Sequence, residues 1–153
     1  MVYICIESNV KPLMKKLCFL LFATVLMLGV ACKEEEPVLT PYELLTTRIW
    51  ASDSLLANGE DASGPGQMLE TFKGNAVFNT DGTGVLGNYN ATWTLSVDNT
   101  EITIITVDPA MEIITTIVEL TKTSLKITTA VADINNPGQF IEIRMTFKGT
   151  VKV

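Results

Sequence analysis

The segment WTLSVDNTEITIITVDPAMEIITTIVELTKTSLKITT, from Trp93 to Thr129, decides the fold. Trp93, Leu95 and Val97 fall on one face of an extended chain, and Thr92, Thr94 and Ser96 fall on the other. The same two-residue period runs through Ile102 and Ile104, the mostly apolar 113–120 segment, and Leu125, Ile127 and Thr129. Further on, Ile141, Ile143, Met145 and Phe147 alternate with Glu142, Arg144 and Thr146, the pattern of a half-buried strand. Turn residues separate these runs: Asp98-Asn99, Asp108-Pro109 and Lys122-Thr123-Ser124 within the quoted segment, and Lys73-Gly74-Asn75, Asp81-Gly82 and Asn135-Asn136-Pro137-Gly138 outside it. The class is therefore all-β, an antiparallel up-and-down meander. About eight strands closed into a small barrel would remove the edges that an open sheet exposes, with an open two-layer sandwich as the alternative.

Upstream, Thr40-Pro41-Tyr42-Glu43 has the capping-box pattern and predicts one short N-terminal helix to about Thr47. The stretch from Asn58 to Gly66, with three glycines and Pro65, is the longest irregular one. As a lid over a barrel mouth it is the first place to expect ligand contact.

The N-terminal residues read as an address. Lys15-Lys16, the apolar run Leu17 to Val30 and the small residues before Cys32 have the layout of a signal peptide over residues 1–31. That run is shorter than the roughly twenty residues a bilayer core requires, so cleavage is expected. Met14-Lys15-Lys16-Leu17 is a compact beginning for such a signal, which makes Met14 the expected start. Leu28-Gly29-Val30-Ala31-Cys32 resembles the lipobox of bacterial lipoproteins, which implies a lipid on Cys32 as the first mature residue. Residues 32–39 then form an acidic, solvated tether. Its Lys33-Glu34-Glu35-Glu36 resembles the export signal that carries Bacteroidota lipoproteins to the cell surface. The resemblance implies an outer-membrane, lipid-anchored, surface-exposed protein, with the periplasmic face as the alternative.

Composition excludes several chemistries. Removing Lys11, Lys15, Lys16 and Glu7 from 11 basic and 17 acidic residues leaves 8 and 16, a mature net charge near −8. The remaining cations, among them Arg48, Lys73, Lys122, Lys126, Arg144, Lys148 and Lys152, are scattered, so nucleic acid is excluded as a partner. Cys5 and Cys18 lie in the discarded segment and Cys32 carries lipid, so no internal disulfide is expected. There is no histidine, which removes imidazole-based triads and nearly all zinc sites. No spacing singles out a carboxylate pair for hydrolysis, so neither an enzyme nor a cofactor is expected.

From about residue 44 to 148 the chain resembles the lipocalin-like domains of Bacteroidota lipoproteins. The resemblance rests on Leu44-Leu45 with Arg48-Ile49-Trp50, on Phe78-Asn79-Thr80-Asp81-Gly82-Thr83, on Trp93-Thr94-Leu95, and on Ile117-Val118-Glu119-Leu120-Thr121 followed by Leu125-Lys126-Ile127. Arg48 stands where the family often has glycine. The resemblance implies a lipocalin-like barrel over residues 40–153 and an envelope address. A non-enzymatic binding module for a small hydrophobic or glycan ligand is then the expected function. The alternative is an accessory envelope protein whose filled barrel displays a protein-binding surface.

Trp50 and Trp93 are candidate ligand-cavity aromatics, with core packing as the competing role. Asn79 and Asp81 have the spacing of half a calcium loop but lack the distal glutamate, so a plain hairpin turn and no metal are expected. Asp53-Ser54-Leu55 resembles a short O-glycosylation motif of exported Bacteroidota proteins, which makes Ser54 a candidate modification site.

Overall fold

Thr40 ends the extended entry segment and caps helix α1 (Pro41–Thr46) as its sequence requires. Its hydroxyl accepts from the Glu43 backbone N–H at 3.3 Å, and the Glu43 carboxylate accepts from the Thr40 N–H at 2.8 Å. The structure, a computed structural model, describes residues 37–152. The signal segment, Cys32 and the export residues Lys33, Glu34, Glu35 and Glu36 lie outside the described residues.

After α1 the chain is almost entirely strand: β1 (Arg48–Ala57), β2 (Glu60–Asp61), β3 (Asn75–Phe78), β4 (Thr83–Leu86), β5 (Tyr89–Leu95), β6 (Glu101–Thr106), β7 (Glu112–Leu120), β8 (Ser124–Ala132) and β9 (Phe140–Val151). A short 3-10 turn at Glu70–Phe72 precedes β3. Every pairing is antiparallel, in the order β2-β1-β3-β4-β5-β6-β7-β8-β9, and β1 returns to pair with β9. That last ladder runs from Arg48 opposite Val151 to Ala57 opposite Ile143, with a bulge between Ser52 and Ser54. β1 and β3 to β9 thus close an eight-stranded barrel, and β2 is an extra strand beside β1. The barrel closes with Arg48 at the start of β1, and the open sandwich is excluded.

The alternation read from the sequence sets the two faces of the wall. Trp50, Leu55, Ile102, Ile104, Leu125, Ile127, Met145 and Phe147 point inward and are at most 2% exposed. Burial of each such side chain stabilises the fold by about 1.5–3 kcal/mol. Glu142, Arg144 and Thr128 face outward.

Three sequence expectations need correction. Val97 does not share the inward face of Trp93; it lies beyond β5 and is fully exposed. The chain turns at Ser96, whose hydroxyl bonds Asp98 and accepts from the Glu101 N–H, while Asn99 takes the left-handed conformation. Lys73-Gly74-Asn75 is not a hairpin turn but the entry to β3 from the 3-10 turn. The 58–66 stretch is also less irregular than its composition suggests, because Asn58-Gly59 forms the turn of a two-row hairpin between β1 and β2.

Candidate functional site

The two ends of the barrel differ in how they are filled. At one end the connections are short, residues 79–82, 96–100 and 121–123, and α1 lies there beside the start of β1. Trp50 projects into this end with its indole N–H donating to the Leu45 carbonyl at 3.2 Å, and Leu45 itself is fully buried. Trp93 donates to the Asn79 carbonyl at 3.0 Å, stacks on Tyr42 of α1 at 5.6 Å between centroids, and meets the edge of Phe78 at 5.1 Å. Gly149 of β9 lies against the Trp50 ring, where a Cβ would approach Cζ3 to 2.8 Å. This end is a solid aromatic plug. Trp50 and Trp93 are 0% and 5% exposed, and both act as core residues. Arg48 is buried here as well, and its Nε is the buried side-chain polar atom without a partner among the described residues.

At the opposite end the connections are residues 58–74, 87–88, 107–111 and 133–139. Beyond Ala51, β1 is no longer paired with β3, and the gap is covered by β2 and the 62–74 segment. That segment is laced down. Ala62 N–H donates to Leu55 O and Leu69 N–H to Ala62 O, while Asn88 N–H donates to Thr71 O and Tyr89 hydroxyl to Thr71 Oγ1 at 3.0 Å. Gly87, at φ +58, packs so closely on Thr71 and Phe72 that any side chain would collide with their backbone. Ala62 and Leu69 are buried beneath this cover. The lid extends beyond the 58–66 loop to Phe72, and it is fixed on both sides.

A second gap is uncovered. β7 and β8 pair from Leu120 opposite Leu125 up to Thr116 opposite Thr128, and no pairing continues toward the open end. There Glu112–Thr115 is bonded to β6 alone and Thr129–Ala132 to β9 alone, which leaves a seam in the wall among the described residues. Register places Ile113, Val131, Ile141 and Ala57 on the inner surface beside this end, and all four are half-buried, unlike the sealed residues at the plug. Two inner hydroxyls are satisfied locally: Thr115 donates to the Ile102 carbonyl at 3.1 Å, and Thr106 donates to the Pro109 carbonyl while accepting from Met111 N–H. The inner surface beside the seam is therefore mostly apolar, with the half-buried Thr129, between Ile127 and Val131, as its polar group.

The other candidates fall outside this end. Ser54 lies on the outer face of β1, half-buried, opposite Thr146, and its neighbour Asp53 pairs with Lys148 at 2.6 Å. Asp81 is occupied by its own turn, its carboxylate accepting from the hydroxyl and N–H of Thr83 at 2.6 and 2.9 Å. These bonds hold its pKa below the ordinary aspartate value, first through the Thr83 hydroxyl. Asp98 is lowered in the same way, mainly by Ser96, and Asp133 by Asn136. These lowered carboxylates are turn-closing groups. No three of His, Cys, Asp and Glu come together in a metal-holding cluster among the described residues.

These features define a lipocalin-like barrel: closed, antiparallel and eight-stranded, with one extra strand and one short helix. No protein family profile and no curated protein matches the sequence. Two solved structures are similar in fold. A complex of bovine odorant-binding protein with a selenium-containing odorant has 17% identity and a TM-score of 0.48, with 78% of this chain and 79% of that one covered. An odorant-binding protein from bovine nasal mucosa has 19% identity and a TM-score of 0.48, with 78% and 80% covered. Sequence reasoning reached the barrel and gave core packing as one of two roles for Trp50 and Trp93, but missed the β7–β8 seam. The one signal for it was the apolar character of 113–118 on both faces, including exposed Ile114 and Val118.

Proposed function

We propose that this protein is a lipid-anchored, non-enzymatic binding module of the bacterial envelope, whose barrel takes a small apolar ligand at its open end. The observation that carries this reading is the half-buried inner wall of Ala57, Ile113, Val131 and Ile141 beside the β7–β8 seam. A mostly apolar wall, with Thr129 as its inward hydroxyl, favours a ligand that brings little polarity of its own. The plugged end fixes the depth of entry, since Trp50, Phe147 and Leu125 leave their faces wholly covered. The anchor rests on Cys32 and its lipobox-like context, and surface display rests on Lys33, Glu34, Glu35 and Glu36.

The test uses a fluorescent apolar dye and the lipidated chain in detergent micelles, against Val131→Trp, which fills the open end. Saturable dye binding that the variant loses, at an unchanged melting temperature, is the expected result. Equal binding by both proteins would sink the interior site. Mass spectrometry of the chain from a bacterial host reads the anchor separately: a diacylglyceryl mass on Cys32 is expected, and an unmodified cysteine would refute it.

One observation favours a second reading, display of a protein-binding surface. Met68, Val107, Ile134 and Phe140 around the open end are 50%, 64%, 91% and 69% exposed. Such a rim suits an apolar partner surface as well as a ligand gate.

A further inference from the structure

The outer wall of the barrel carries a groove unrelated to the interior. It encloses about 470 Å³ and is lined by Val118 of β7, Lys126 and Thr128 of β8, and Glu142 and Arg144 of β9. We propose that this groove binds a sugar acid, a saccharide unit bearing a single carboxylate.

The groove exists because β7 is irregular at that point. A register shift between Ile117 and Glu119 leaves Val118 as an extra residue on the outer face, 62% exposed. Bulges of this kind re-aim side chains and recur beside functional sites. The neighbouring strands supply the charges. Thr128 stands opposite Arg144 in the β8–β9 ladder, and Lys126 shares its face two residues earlier. Two cations therefore flank one hydroxyl, a seat for one carboxylate. Each cation is held by an acid: Lys126 Nζ lies 2.7 Å from Glu119 Oε2, and an Arg144 Nη lies 3.3 Å from Glu142 Oε1. The latter contact occupies a single donor of the guanidinium, so the rest of its fork is available to a ligand.

The remaining groups specify what surrounds that carboxylate. Glu142 lines the groove and accepts hydrogen bonds, which ring hydroxyls donate, and Glu119 adjoins it through Lys126. The lining is mostly apolar, from Val118 and the carbon stems of Lys126 and Arg144, which suits the C–H face of a sugar ring. Each cation shares its charge with a glutamate, so a monoanion that takes up the free guanidinium donors of Arg144 meets less repulsion from Glu119 and Glu142 than a phosphate dianion does. Exposed ion pairs contribute little on their own, so exchanging them for ligand contacts costs little.

Saturation-transfer NMR on the full chain in detergent micelles at low salt tests this, with glucuronate, glucose and glucose 6-phosphate as probes. Transfer to glucuronate in clear excess over the other two is expected. Lys126→Ala combined with Arg144→Ala should weaken glucuronate binding about tenfold. Both side chains are exposed, so its melting temperature and its binding of the apolar dye should be unchanged. Equal transfer to all three probes, no transfer at about 10 mM glucuronate, or an unaltered affinity in the double variant would overturn the proposal. Because the dye reports the interior and glucuronate the outer wall, failure of either reading leaves the other standing.

Discussion

Gly149 shows how one residue governs the plugged end. Its missing side chain lets β9 pass across the face of Trp50, and a Cβ there would lie 2.8 Å from Cζ3, 3.1 Å from Cε3 and 3.2 Å from the Lys122 carbonyl. The Trp50 ring cannot retreat, because it is fully buried and its indole N–H is committed to Leu45. Gly149→Ala is therefore expected to destabilise the barrel by about 1–3 kcal/mol, the usual range for overpacking a tight core. Thermal unfolding measures this, and an unchanged melting temperature would show that the strand moves away freely.

At the scale of elements, the turns hold the charges and the seam holds the weakness. The carboxylates of Asp81, Asp98 and Asp133 each accept bonds from their own turn and titrate below the ordinary aspartate value when folded. The folded state thus binds fewer protons than the unfolded one, and stability falls as pH drops through the lowered values but is flat above the ordinary carboxylate range. Urea unfolding across pH should show this slope, and a variant carrying Asp81→Asn, Asp98→Asn and Asp133→Asn should reduce it, leaving the part carried by Glu43, Asp61 and Glu119, which are lowered as well. Hydrogen exchange reads the second feature. Seam-facing amides in Glu112–Thr115 and Thr129–Ala132 should exchange faster than those in the paired rows from Thr116 to Leu120; uniform protection would mean that the wall is sealed. Most of this architecture was legible, since period-two alternation marked β5, β6, β8 and β9 and the capping box marked α1. β4 was not marked, because Thr83-Gly84-Val85-Leu86 is too short to alternate, and its Gly87-Asn88 turn passed unread. The end of β5 was misread, because Val97 continues the apolar spacing while Ser96 and Asp98 already close the turn. The seam was illegible because pairing along a strand depends on the path of its neighbour, which periodicity does not encode.

The described residues form a ring of ladders in which the first and last barrel strands are neighbours. Arg48 stands opposite Val151, and the Lys152 N–H donates to the Thr47 carbonyl at 3.0 Å. A circular permutant joined from Lys152 to Thr40 by a flexible Gly/Ser linker, so that α1 is kept, and opened within Asn135–Gly138, an exposed turn, should fold with its melting temperature close to that of the parent. Calorimetry decides it, and failure to fold would mean that the β8–β9 hairpin must form as a continuous unit.

The same adjacency has a mechanical side. Residues 47 and 152 leave the barrel at one pole, from antiparallel neighbours, so a force pulling them apart peels β1 from β9 one row at a time, beginning at Arg48 and Val151. A pull delivered through the N-terminal side alone puts no such load on the ladder. Gripped at residues 47 and 152 together, the ladder opens like a zipper.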